Sequence, residues 1–215
     1  MNKQQVEDII RKIERNWEKI ISNPKLERGI AKYVFLKERF KDRNGQILAD
    51  GEFKSTFCEF YELKRLRTAI KGQYFELLSK SQNKTKLRDI LEKLYQIPKN
   101  HGGGKVQFSF ATKLLHTIDN DRPIYDSRVA HQLKLCNMYN LRGKEAKIEW
   151  CETTYKELIQ WHKVLLRDRR VKKKIKELRK KFSEAKDISK AKALDFILWS
   201  MPKDKKKNKT KICLK

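Results

Sequence analysis

Glycine and proline are scarce in this sequence, with 8 Gly and 4 Pro among 215 residues. The scarcity excludes a collagen-like or linker-dominated chain and argues against a turn-dense all-β fold. No apolar run approaches the ~18 residues that a membrane span requires, which excludes an integral membrane protein. The first 30 residues also lack the apolar core of a signal peptide, so we expect a cytoplasmic protein.

Cysteine and histidine are sparse as well, with four of each. Cys58, Cys136, Cys151 and Cys213 are too far apart for a CxxC zinc site or an iron–sulfur signature. The histidines form no HExxH-type pair. The sequence therefore predicts no metal site and no cofactor, and we interpret the cysteines as packing residues.

Positive charge is in large excess, since 53 Lys+Arg oppose 27 Asp+Glu and give a net charge of +26. Residues 167–181 hold ten basic and two acidic residues, and residues 203–215 hold seven lysines and one aspartate. A general lysine enrichment usually raises glutamate too, and glutamate has not followed here. Such a surplus attracts polyanions, and phosphate neutralisation drives binding largely regardless of base sequence. The predicted partner is therefore nucleic acid and not a membrane.

Apolar residues recur at helical spacing along most of the chain, which predicts an all-α fold. We expect a single compact helical domain over residues 1–202 and a lysine-rich disordered tail over 203–215. The basic run 167–181 is either a DNA-facing helix or a mobile arm. The other predicted helices cover 6–21, 26–40, 55–70, 85–95, 108–118, 127–138, 143–166 and 189–200.

A glycine-rich turn lies between two of these helices, with Gly102, Gly103 and Gly104 followed by Lys105. Three glycines let the backbone approach a ligand closely, and the amides and dipole at the start of the next helix favour an anion. Phosphate binding is one interpretation of this turn, and an ordinary flexible loop is the other.

Asp126 precedes a predicted helix, where an N-cap residue belongs. Capping alone would explain it, but a carboxylate held at a helix N-terminus can also stabilise a developing cation or orient a water. Lys113 on the preceding helix is interpreted as a solvated or phosphate-contacting residue. Arg128 and His131 lie about one turn apart, so both could face a DNA backbone or be ordinary surface residues.

The order helix, glycine hairpin, helix, apolar-apolar-Asp, helix resembles the helix-hairpin-helix DNA glycosylase superfamily, in particular the 8-oxoguanine glycosylase-like proteins of bacteria. The aspartate segment PIYDSRV (123–129) carries the most specific part of the resemblance. The hairpin GGGK (102–105), its second helix FATKLLH (110–116) and the closing segment ALDFILWSM (193–201) also match.

This resemblance implies a helix-hairpin-helix element and a monomeric enzyme, nucleoid-associated if bacterial, acting on double-stranded DNA. Such enzymes extrude a damaged or modified base and cleave its N-glycosidic bond through an oxocarbenium-like transition state. Asp126 would stabilise that positive charge. Members with AP-lyase activity add a lysine nucleophile. Lys105 fits this role only if the loop before Asp126 is about two residues longer than usual, so a monofunctional enzyme that uses water is equally consistent.

Two other functions remain open from the sequence. One is a non-catalytic DNA- or RNA-binding helical module in which Asp126 serves only as a cap. The other is an anti-phage defence glycosylase that acts on modified phage DNA. The sequence does not select the excised base, because a base pocket is assembled from side chains that are distant along the chain.

Overall fold

The computed structural model describes residues 1–42, 46–63, 68–82, 84–97, 106–135 and 141–202. Within these ranges the regular secondary structure is entirely helical, which confirms the all-α prediction. Gly102, Gly103, Gly104, Lys105 and the predicted tail 203–215 lie outside the described residues. The α-helices are α1 (Lys3–Arg15), α2 (Trp17–Ile21), α3 (Pro24–Asp42), α4 (Gly51–Phe60), α5 (Thr68–Lys80), α6 (Leu87–Gln96), α7 (Phe108–Ile118), α8 (Ser127–Gln132), α9 (Lys144–Leu165), α10 (Arg169–Lys181) and α11 (Lys190–Ser200), and two short 3₁₀ segments cover Gln46–Leu48 and Ser183–Asp187.

The basic run forms an ordered helix, α10, instead of a mobile arm. Its apolar seam of Val171, Ile175 and Leu178 is buried against the core. At its start, Arg170 donates hydrogen bonds to both carboxylate oxygens of Glu7, at 3.0 and 2.8 Å. The lysines of the opposite face are left exposed on the surface.

Two predicted helices end earlier in the structure. The helix predicted over 55–70 stops at Phe60, and the chain turns through Tyr61 and Glu62, where Glu62 has a left-handed φ of 58°. The helix predicted over 127–138 stops at Gln132, and Lys134 has a φ of 53°. Neither turn contains the glycine that usually marks a left-handed position, so no local signal in the sequence indicates either helix end.

Every α-helix contributes residues to one hydrophobic core. The described helices therefore form a single compact domain. The closing helix α11 lies deepest, with nine of its eleven residues buried, and it packs against α8 and α10. A helix that is buried on nearly all sides can carry apolar residues around its whole circumference. None of the described helices is long and apolar enough to cross a membrane.

The segment before α8 is fixed to α7 by both polar and aromatic contacts. The backbone N–H of Tyr125 donates to the hydroxyl of Thr112 at 3.0 Å, and that hydroxyl donates to the carbonyl of Ser109 at 3.0 Å. The Tyr125 ring packs on Phe108 with their centroids 4.2 Å apart. These contacts hold the start of α8, and therefore Asp126, at a fixed position beside α7.

The loop between α7 and this segment is held by His116, which is 1% exposed. Burial lowers the pKa of His116 to about 3, so its ring is neutral at neutral pH. Its Nδ1–H donates to the carbonyl of Arg122 at 2.6 Å, and Nε2 lies 3.0 Å from the hydroxyl of Tyr33 on α3. The bonds connect the loop to α3 as well as to α7.

Candidate active site

A cavity of about 430 Å³ lies where α3, the end of α4, α7, the start of α8 and α11 meet. This volume is within the usual range for small-ligand sites. Asp126, Lys113 and Arg128, three residues singled out in the sequence, line the cavity together. His131 does not line it and is exposed on the surface of α8.

Asp126 caps α8 and lines the cavity at the same time. One carboxylate oxygen, Oδ1, accepts a hydrogen bond from the backbone N–H of Arg128 at 2.8 Å. Among the described residues the other oxygen has no hydrogen-bond partner, and the side chain is half-buried. The amides at the helix start favour negative charge here. Capping and a chemical role in the cavity are therefore compatible.

Lys113 is 8% exposed, which corrects its interpretation as a solvated residue. Its ammonium group donates to the backbone carbonyl of Tyr61 at 3.0 Å and lies over the rings of Tyr61 and Phe110. Burial lowers the pKa of Lys113, while the nearby carboxylates of Asp126 and Glu62 oppose that shift. A lysine with a lowered pKa has a larger neutral fraction, which is the form that acts as a nucleophile.

Aromatic rings form the walls of the cavity. The guanidinium carbon of Arg128 lies 4.6 Å from the centroid of the Trp199 ring, an arrangement typical of cation–π stacking. Phe60, Tyr61 and Phe196 also line the cavity. Such flat apolar faces suit a planar aromatic ligand.

A buried ion pair on α11 was missed by the sequence analysis. Lys192 is 3% exposed, and its ammonium group donates to Oδ2 of Asp195 at 2.8 Å. Both residues line the cavity, and the same ammonium group lies 4.5–5.9 Å from the ring centroids of Phe196, Tyr33, Phe60 and Tyr61. The available signal was an i, i+3 pair of opposite charges within a mostly apolar helix.

Basic residues of α3 lie at the mouth of the cavity. Lys25, Arg28 and Lys32 are spaced i, i+3 and i+7, so they share one helix face. Lys25 and Arg28 are exposed, whereas Lys32 forms an ion pair with Glu59. In total six Lys or Arg and four Asp or Glu line the cavity, which leaves a net positive charge suited to a phosphate-bearing ligand.

Comparison with protein families matches residues 62–202 to a family of unknown function, DUF6308. The match spans more than half of the chain. The chain belongs to the DUF6308 family. No curated protein and no solved structure matches it. The part matched to DUF6308 contains Lys113, Asp126, Arg128, Lys192 and Asp195, whereas the basic face of α3 precedes it.

Proposed function

We propose that this protein is a DNA glycosylase that takes an extruded base into the cavity and cleaves its N-glycosidic bond. The observation that carries the proposal is the position of Asp126. Its carboxylate is fixed at the start of α8, and one oxygen remains without a partner among the described residues in an aromatic-walled cavity. The excess of positive charge and the exposed cations at the mouth support a DNA partner.

In the proposed reaction the aromatic walls hold the base, and Lys25 and Arg28 contact phosphates of the strand. As the C1′–N bond breaks, the base leaves with the bonding electron pair and takes up the proton that the attacking nucleophile releases. Positive charge develops on the sugar, and the Asp126 carboxylate stabilises it electrostatically. A nucleophile then forms a new bond to C1′.

Two nucleophiles are consistent with this site. A water oriented by Asp126 would give a monofunctional glycosylase. The neutral amine of Lys113 would give a covalent intermediate that proceeds to a Schiff base and strand cleavage. Lys192 is less suited to attack, because its ammonium group is bound to Asp195. Lys105 stays a candidate from the sequence and lies outside the described residues.

The helix-hairpin-helix assignment is part of the same proposal. Helices α6 and α7 pack against each other and flank the segment that contains Gly102, Gly103 and Gly104. In a helix-hairpin-helix element the glycine turn would bind the DNA backbone. The contact between α6 and α7 supports the assignment.

The proposal is tested by incubating the protein with a panel of duplexes, each carrying one damaged or modified base, and measuring released free base. Release that depends on Asp126 supports a glycosylase. Salt-sensitive binding without release from any duplex would support the non-catalytic binding module instead. Release confined to modified bases of the kind found in phage DNA would favour the defence role.

Borohydride trapping of a protein–DNA adduct decides between amine and water. We expect an adduct that is lost in Lys113→Gln and kept in Lys105→Ala. Loss in Lys105→Ala alone would assign the nucleophile to the hairpin. Base release without an adduct in any variant would identify a monofunctional enzyme.

A further inference from the structure

Only one of the two carboxylate oxygens of Asp195 has a hydrogen-bond partner among the described residues. The residue is 6% exposed and its side chain lines the cavity. Oδ2 accepts the hydrogen bond from Lys192, whereas Oδ1 is buried and has no hydrogen-bond partner among the described residues. Buried polar atoms are almost always paired, because an unpaired one loses its bonds to water without replacement.

A ligand in the cavity can supply the missing donor. The ion pair with Lys192 fixes one end of the carboxylate, so the other end keeps acceptor character. The terminal torsion of aspartate is broad, so a small rotation that keeps Oδ2 within hydrogen-bond distance of Lys192 can bring Oδ1 toward a ligand. The rings of Phe60 and Phe196 line the same cavity, so a planar ligand held there would present its edge near Asp195.

We propose that Asp195 accepts a hydrogen bond from an amino group of the extruded base. This inference rests on the proposed function and adds a substrate class, namely bases that carry an exocyclic amino group. A site built to hydrogen-bond a substrate N–H discriminates strongly against an analogue that lacks it, because the buried acceptor is then left unpaired. In this proposal Asp195 on α11 selects the base, and Asp126 at the start of α8 promotes cleavage of its bond to the sugar.

The test compares bases that differ by one amino group. Adenine is paired with purine, guanine with hypoxanthine and cytosine with 2-pyrimidinone. Each base is placed opposite an abasic spacer, which lowers the cost of extrusion. A 2′-fluoro substituent on its sugar destabilises the oxocarbenium-like transition state, so the base stays attached and binding is measured apart from cleavage.

For the wild-type protein we expect at least one amino-bearing base to bind about tenfold tighter than its partner, as for a hydrogen bond to a charged group. In Asp195→Asn the amide oxygen can still accept from Lys192, which leaves the amide N–H₂ facing the ligand. The affinity ratio should therefore fall to about one or below. Thermal unfolding of the variant verifies that it is folded.

Glu59→Gln serves as the matched control, because it removes a carboxylate from the same cavity at the ion pair with Lys32. This variant should change the affinity for both members of a pair equally and keep their ratio. Ratios near one for all three pairs in the wild-type protein, or a ratio that persists in Asp195→Asn, would overturn the inference. Base release is measured separately on duplexes without the 2′-fluoro substituent. Release with affinity ratios near one identifies a glycosylase that does not select for the amino group. A high ratio without release identifies a selective binding protein that lacks glycosylase activity.

Discussion

The pKa of Lys113 depends on the balance between its burial and the carboxylates around it. Burial lowers its pKa, and Asp126 and Glu62 raise it. Glu62 is exposed and follows the end of α4, so it can be changed without disturbing the core. A substitution of Glu62 therefore tests how the carboxylates set the pKa of Lys113. Glu62 takes no part in the capping hydrogen bond between Asp126 and Arg128.

We predict that Glu62→Gln lowers the pKa of Lys113 further, since it removes an attraction to the ammonium form. The neutral amine exists above the pKa, so the rising limb of adduct formation should move to lower pH. The measurement is the rate of trapping with an abasic-site duplex between about pH 6 and pH 10, which bypasses base removal. A limb that stays in place or moves to higher pH would show that Lys113 is not the attacking amine.

At the scale of elements, the contact between α7 and the segment before α8 sets the position of Asp126. Thr112 is fully buried on α7, and its hydroxyl accepts the backbone N–H of Tyr125, the residue next to Asp126. The hydroxyl donates its own proton to the carbonyl of Ser109, so among the described residues its bond to Tyr125 is the hydrogen bond by which it reaches beyond α7. Thr112 therefore adds a hydrogen bond to the packing of Tyr125 on Phe108, and both contacts couple the helix that carries Lys113 to the segment that carries Asp126.

We predict that Thr112→Val lowers the free energy of unfolding by about 1–3 kcal/mol, since the partly buried Tyr125 N–H loses its acceptor. The rate of base release under single-turnover conditions should fall as well, because Asp126 is no longer fixed. The control is Thr153→Val, because Thr153 is exposed on α9. This variant should change the free energy of unfolding by less than about 0.5 kcal/mol. Equal effects of the two variants would contradict the positioning role of Thr112.

The helix bounds and the cap that were predicted correctly depend on signals from residues close together in the sequence. The bounds of α7 were expected over 108–118 and agree with Phe108–Ile118, because the apolar spacing and the polar loop after it are both local. The cap at Asp126 was recognisable for the same reason. The turn at Glu62 was missed because its left-handed conformation is imposed by packing, without a glycine to mark it.

The cavity could not be predicted from local sequence signals. Its walls come from residues as far apart as Lys25 and Trp199, and burial depends on how the helices pack. The sequence around Lys113 is the same whether its side chain is solvated or enclosed, so only the fold shows that it is buried and lines the same cavity as Asp126. Lys192 and Asp195 were hidden in a segment that resembles a plain core helix.

At the scale of the whole molecule, the net charge of +26 is spread over more than one surface. One basic region is the exposed face of α3 at the cavity mouth, with Lys25 and Arg28. Another is the outer face of α10, with Lys172 and Lys176. If the cavity receives a base extruded from DNA, the strand must pass across the first region.

We predict that Lys25→Gln combined with Arg28→Gln reduces the slope of log affinity against log salt by about 1.8, since each lost phosphate contact contributes about 0.9. The weakening should be the same for every DNA sequence, because phosphate contacts carry no base information. Lys172→Gln combined with Lys176→Gln is the charge-matched comparison. A reduced slope in that variant alone would mean that DNA lies across α10 and does not enter at the cavity mouth.

The central claim, that the Asp126 carboxylate acts on a sugar beyond its role as a cap, is tested most directly by two Asp→Asn substitutions at equivalent caps. Asp126 caps α8 through Arg128 N at 2.8 Å, and Asp168 caps α10 through Arg170 N at the same distance. Asparagine caps helices as well as aspartate does, so both variants should fold.

We measure the single-turnover rate of base release for both variants together with their unfolding free energies. Asp126→Asn should keep its stability and lose base release by at least about a hundredfold, as when one electrostatic stabiliser of a transition state is removed. Asp168→Asn should lose some stability with its ion pair to Arg170 and keep base release. Unchanged release in Asp126→Asn, with the protein folded, would contradict the account.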